Sequence, residues 1–229
     1  YYEIDGAAYE GYVARPEVDS APVVLVVHAW CGQSSFEREK AVALAELGYV
    51  GFAIDLFGKG RRGATVEENQ ALIKPFTDDR SLLQARMTAS LDIGRSLSGV
   101  KKDKSAAIGF CFGGLSVLDL ARSGSNVSGV VSFHGLLSAA DNLPDPKISS
   151  KVLVLHGWDD PMAPPSDVLA LSQELTGSGA DWQLHAYGGT LHAFTNPDAN
   201  DVDFGVKFDA GANQRAFTAM RNFLEEVLD

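Results

Sequence analysis

Positive charge is in short supply in this chain: 19 lysines and arginines stand against 30 aspartates and glutamates in 229 residues, a formal net charge of −11. An acidic surface repels phosphate backbones and anionic headgroups, so neither nucleic acid nor a membrane surface is an expected partner. Long hydrophobic runs are missing as well; none approaches the ~20 residues that span a bilayer. Cysteine is scarcer still. Cys31 and Cys111 are too few for a disulfide framework. The opening YYEIDG carries no signal-peptide pattern, so a reducing cytoplasm is the expected compartment. No Pro-, Gly- or Ser-rich linker, low-complexity block or internal repeat divides the chain. Its 45% hydrophobic content is ample for one sizeable core. A single domain over residues 1–229 is expected.

Short apolar runs without alternation read as buried parallel strands: Val23–Val27, Tyr49–Ile54, Ala106–Phe110, Gly129–Phe133 and Val152–Leu155. Asp181–Tyr187 alternates more and suits a strand nearer an edge. Helical patterns lie between or after them, over Phe36–Leu47, Ser81–Leu97, Leu115–Ala121, Ser166–Leu175 and Asn213–Leu228. The first of these has a capping box, Ser34 with Glu37, and a glycine stop at Gly48. Strands alternating with helices predict an α/β fold, a mostly parallel sheet covered on both faces. Ligands of such sheets bind beyond the carboxyl ends of the strands. His28, Asp55, Cys111, His134 and His156 stand at or just past those ends. Ordinarily a polar residue in such a place meets solvent or caps a turn.

One of the two cysteines is harder to dismiss. Gly109-Phe-Cys111-Phe-Gly113 is a G-x-nucleophile-x-G pentapeptide between a strand and a helix, the pattern of a nucleophile elbow with Cys in place of Ser. A sharp strand-to-helix turn crowds the Cβ positions two residues either side of the nucleophile, which glycine relieves. The thiol then stands at a helix N-terminus, where unpaired amides favour a thiolate. The ordinary alternative is a cysteine packed as a small hydrophobe. An elbow nucleophile calls for an acid and then a histidine later in the chain. Asp159 and Asp160 follow the fifth strand, and His192 follows the sixth. His185 fits packing within a strand, while His28, His134 and His156 fall outside the slot. The oxyanion hole would use the amide of Phe112, next after the nucleophile, and one from His28-Ala-Trp-Cys-Gly32, with Trp30 the candidate. As a side chain, Trp30 also suits a pocket wall.

With these residues the sequence resembles the dienelactone hydrolase family of α/β-hydrolases, along essentially its whole length. The resemblance runs through VVLVVHAWCG, LAELGYVGFAIDLFGKG, AAIGFCFGG, VLVLHGWDDPMAP and GGTLHAFTNP. It implies an α/β-hydrolase fold and a triad of Cys111, Asp160 and His192, with Asp160 preferred over Asp159. It also implies oxyanion amides at Trp30 and Phe112, no metal, no organic cofactor, and a small ester or lactone as the molecule bound. Monomer and homodimer are both compatible with it. Three positions depart from the family's pattern. The type enzymes pair a glutamate with the resting thiol, and the matching residue here is Ala29. They grip the substrate carboxylate with a serine and an arginine where this chain has Ala193 and Asn196. The family's further arginine corresponds to Arg80 or Arg86.

The expected activity is hydrolysis of a small carboxylic ester or lactone through a thioester on Cys111. With Ala29 in place of the glutamate, a resting thiolate–imidazolium pair is expected, unless Glu39 reaches the thiol from its helix. Two readings from other classes compete: a thiol redox protein pairing Cys111 with Cys31, and a catalytically silent binding domain on the same scaffold.

Overall fold

The computed structural model describes residues 1–229. In chain order, short strands β1 (Tyr2–Ile4), β2 (Ala7–Tyr9) and β3 (Tyr12–Ala14) lead into β4 (Ala21–Val27), α1 (Ser35–Glu46) and β5 (Val50–Ala53). Helices α2 (Val66–Asp78) and α3 (Arg80–Ser96) precede β6 (Val100–Phe110), α4 (Phe112–Arg122), β7 (Gly129–Phe133) and β8 (Lys151–Gly157). The chain closes with α5 (Pro165–Gly177), β9 (Trp182–Tyr187), the two-residue strands β10 (Asn200–Asp201) and β11 (Val206–Lys207), and α6 (Ala210–Leu228).

Seven strands form the central sheet in the order β3-β5-β4-β6-β7-β8-β9. All its pairings are parallel except that of β3 with β5. The inner strands are apolar on both faces because both faces are covered. Along β4, Val23, Leu25 and Val27 pack with Leu83, Met87 and Leu91 of α3. Val24 and Val26 belong to the opposite cluster, with Ala41 and Leu44 of α1 and Met220 and Leu224 of α6. This is the mostly parallel α/β sheet, covered on both faces, that the strand pattern predicts, and β9, the strand with alternation, lies at an edge.

The sequence-predicted elements are all present; β4, β8, α5 and α6 are two or three residues longer than expected, and β5 and β9 are slightly shorter. The first helix carries its capping box, and Gly48 after it adopts φ 94°. Helix α2 was not expected, since VEENQALIKPFTD is largely polar and contains Pro75. Strand β6 starts six residues early, in an exposed Lys-Lys-Asp stretch that no hydrophobicity pattern reveals. No helix is long and apolar enough to cross a membrane.

Register decides what meets at the carboxyl edge. Gly109 pairs with Ser132 and Phe110 with Phe133, while Phe133 pairs with Leu155. The ladder continues one step further, with the Cys111 amide donating to the Phe133 carbonyl at 3.1 Å and the His134 amide to that of Leu155 at 2.8 Å. Cys111, His134 and His156 therefore stand in one row across three neighbouring strand ends.

Candidate active site

Cys111 links β6 to α4 with φ 57° and ψ −116°, a left-handed conformation that costs strain in a residue with a Cβ. The flanking glycines make that turn possible. A Cβ on Gly109 would run into the Gly113 carbonyl, and one on Gly113 into the backbone of Val27. The turn sets the thiol at the N-terminus of α4 and on the wall of a cavity of about 340 Å³. The Phe112 amide opens α4, where no intrahelical acceptor exists. Neither it nor the Trp30 amide donates to a backbone acceptor, so both remain available to an oxyanion.

His192 reaches the same cavity from the loop after β9. Its Nδ1 lies 2.6 Å from Oδ2 of Asp160, whose Oδ1 accepts the Met162 amide at 2.8 Å. The neighbouring Asp159 is exposed and uses only its amide, donated to the Thr190 carbonyl. The loop carrying His192 is held by backbone bonds to Gly205 and Lys207, beside β11. Burial pulls His192 downward, but the Cys111 sulfur and the Asp160 carboxylate outweigh it and raise the group to about 10.

His28 braces the loop that carries Ala29 and Trp30. Its Nε2 accepts the Leu56 amide at 3.1 Å, which leaves Nδ1 to donate to the Ala29 carbonyl at 2.7 Å. Burial lowers its basicity and keeps that tautomer neutral. Asp55 does turn work, accepting the Phe57 and Gly58 amides. His134 is more than a capped strand end. Its ring meets that of His192 edge-on at 5.1 Å between centroids, and Nε2 lies 2.8 Å from the Thr195 hydroxyl. Burial first, then the charge of His192, push His134 well below its ordinary value. The two histidines are adjacent, and only His192 has a carboxylate partner.

Arg80 and Arg86 do not face the cavity, which corrects the expectation that either binds substrate. Arg80 makes two bonds of 2.6 Å to the buried carboxylate of Asp119 on α4. Arg122 joins the same carboxylate and also pairs with Glu174 at 2.7 Å. Arg86 donates to the Leu56 carbonyl and lies over the ring of Tyr9. Their cationic groups tie helices and loops together.

Glu39 is exposed on α1, and the carboxylate that lines the cavity is that of Glu37. Sequence reasoning assigned Glu37 to the capping box and went no further. It also missed Gln70 and Ile73 of α2, and Phe204 and Val206 around β11, which line the same cavity. Phe204 stacks on Trp30 at 6.1 Å. Cys31 shares the cavity with Cys111, and both thiols are free. Burial, then the charge of Glu37, raise Cys31 to about 11.

Against known proteins, the family model described as "Dienelactone hydrolase family" matches residues 9–228. An uncharacterized Caenorhabditis elegans protein is 34% identical over 66% of this chain and 99% of its own length. Carboxymethylenebutenolidase 1 of Cupriavidus pinatubonensis is 22% identical over 94% of this chain and 93% of its own. Among solved structures, a dienelactone hydrolase-like promiscuous phosphotriesterase from metagenomic libraries superposes with a TM-score of 0.92 at 33% identity. It covers 99% of this chain and 96% of the other.

Proposed function

For a chain that belongs to the dienelactone hydrolase family, we propose hydrolysis of small carboxylic esters or lactones, with Cys111 as nucleophile and a thioester as the covalent intermediate. The observation that carries this reading is the convergence on one cavity of an elbow cysteine and a histidine bonded to a buried carboxylate.

The resting state is a Cys111 thiolate beside a His192 imidazolium, in keeping with the raised value of His192. The thiolate attacks the carbonyl carbon, and the oxyanion takes hydrogen bonds from the Trp30 and Phe112 amides. His192 gives its proton to the departing alkoxide or enolate, and the thioester remains. Acylation removes the sulfur's negative charge, the largest influence raising His192. The imidazole thereby becomes a base, suited to take a proton from water as it attacks the thioester. Collapse of the second tetrahedral intermediate releases the acid and restores the ion pair.

A thiolate leaves more readily than an alkoxide, so the first tetrahedral intermediate falls back unless the departing group is good. Enol lactones and aryl esters fit that demand; amides and plain alkyl esters do not. The thiol redox alternative is weakened by Cys31, which burial holds as a thiol. It would also leave the Asp160–His192 pair without a task. A catalytically silent scaffold would not need that pair either. Turnover of 4-nitrophenyl acetate by wild type and by Cys111→Ala tests the proposal. Activity is expected in the first and absent from the second.

A further inference from the structure

Glu37, at the third position of α1, is 2% exposed and lines the cavity with Cys111 and His192. Its capping box accounts for one oxygen. Oε2 accepts both the amide and the hydroxyl of Ser34, each at 2.8 Å, and Oε1 accepts no hydrogen bond from the protein. No lysine or arginine lines the cavity to neutralise this carboxylate. The cations of adjoining segments are engaged elsewhere. Lys40 lies over the rings of Phe36 and Phe217 at 4.6 and 4.7 Å. Arg62 donates to the Gln33 and Arg61 carbonyls and pairs with Asp55. The charge of Glu37 also reaches Cys31 on the cavity wall, which, after burial, it contributes to raising, ahead of the smaller opposing effect of Arg62.

Most of the remaining wall is apolar, with 13 hydrophobic residues among the 20 that line it. Ala193 and Asn196 are among the lining residues and offer no formal charge to an anion. In such a low-dielectric enclosure, like charges repel far more strongly than in water. The imidazolium of His192 does not reverse this balance, because the thiolate compensates it in the resting state.

We infer that Glu37 selects substrate by charge, admitting uncharged esters and lactones and excluding those that carry a carboxylate. This rests on the ester-hydrolase reading and adds a residue that sets specificity. A substrate anion would enter beside the Glu37 carboxylate with no cation to receive it. A neutral substrate of the same shape would meet an apolar wall and a free hydrogen-bond acceptor.

The test compares two 4-nitrophenyl esters of glutaric acid, one with a free distal carboxylate and one with that group as its methyl ester. Wild type should favour the neutral ester at least tenfold in kcat/KM. Glu37→Gln, which keeps an oxygen for the cap, should shrink the ratio at least fivefold. Glu39→Gln, an exposed change on the same helix, should leave it alone. A wild-type ratio near one or reversed, or a ratio unmoved by Glu37→Gln, overturns the inference. A second arm needs neither turnover nor a variant. Phenylacetamide should protect Cys111 of wild type from iodoacetamide at a concentration at least tenfold lower than phenylacetate. Equal protection overturns charge selection. If neither ester is turned over while the protection difference holds, the hydrolase reading fails and charge selection stands.

Discussion

Nδ1 of His192 and Oδ2 of Asp160 stand 2.6 Å apart, both residues no more than 2% exposed. The bond fixes which nitrogen of the imidazole is committed to the carboxylate and leaves Nε2 for the cavity. A buried carboxylate also favours the imidazolium over the neutral ring. Asp160 thus orients His192 and stabilises the charge it carries.

Removing either partner of the reacting pair should stop turnover. Cys111→Ala and His192→Ala are each expected to lose at least 10³-fold in kcat/KM, and the double variant should be little worse, since the members act as a unit. Asp160→Asn should cost orders of magnitude, as misorientation of the histidine does in related triads, while Asp159→Asn should change activity less than threefold. Steady-state kinetics on an aryl ester, with circular dichroism to confirm folding, checks the set. The opposite ranking of the two aspartates would move the acid.

The elbow predicts a stability pattern. Gly113→Ala sets a methyl group against the Val27 backbone, where nothing can shift cheaply, and should cost about 1–3 kcal/mol or more. Gly177→Ala meets nothing within 4 Å and should stay within about 0.5 kcal/mol of wild type. Urea unfolding of the two variants measures the contrast. Equal stabilities would mean that the turn is less crowded than the geometry describes.

Much of this was legible in the sequence because close packing leaves marks on it. The inner strands are continuous apolar runs since they are covered on both faces, and the elbow needs glycine at two fixed positions. Asp160 and Asp159 are adjacent and chemically alike, so only the turn ending at Met162 tells which one faces His192. Arg80 was illegible for a different reason. Its partner Asp119 lies on α4, 39 residues away, and no local pattern announces a buried ion pair. Glu37 carries an unmistakable capping signal, and that signal hides its second exposure, toward the cavity. Helix α2 was invisible because its largely polar face matches solvent and its buried face is narrow.

Arg80 should behave as a structural residue. Arg80→Met leaves Asp119 buried with only Arg122 to pair it, and breaking such a pair costs about 3 kcal/mol. The loss should appear in urea unfolding, with KM for neutral and anionic aryl esters changed in common. A selective rise in KM for the anionic ester, at unchanged stability, would return Arg80 to substrate binding.

The ion pair sets a pH dependence. His192, pulled down by burial but raised to about 10 by the charge of the Cys111 sulfur and then by Asp160, should stay protonated through neutral pH and lose its charge only as pH rises through that value. Cys111→Ala removes the largest raising influence and should bring the titration of His192 well down. The imidazole proton signals of His192, followed by NMR against pH, read both curves. A wild-type His192 that titrates near the ~6.5 of a free imidazole would contradict a resting imidazolium.

The thioester is the most direct point of attack on the account. Wild-type protein mixed with excess 4-nitrophenyl acetate and quenched in acid within the first turnovers should carry one acetyl group on the peptide containing Cys111. That adduct should be labile to hydroxylamine, as a thioester is, and absent from Cys111→Ala. Sustained turnover by folded Cys111→Ala, or an acetyl group accumulating on another residue as turnover proceeds, would contradict it.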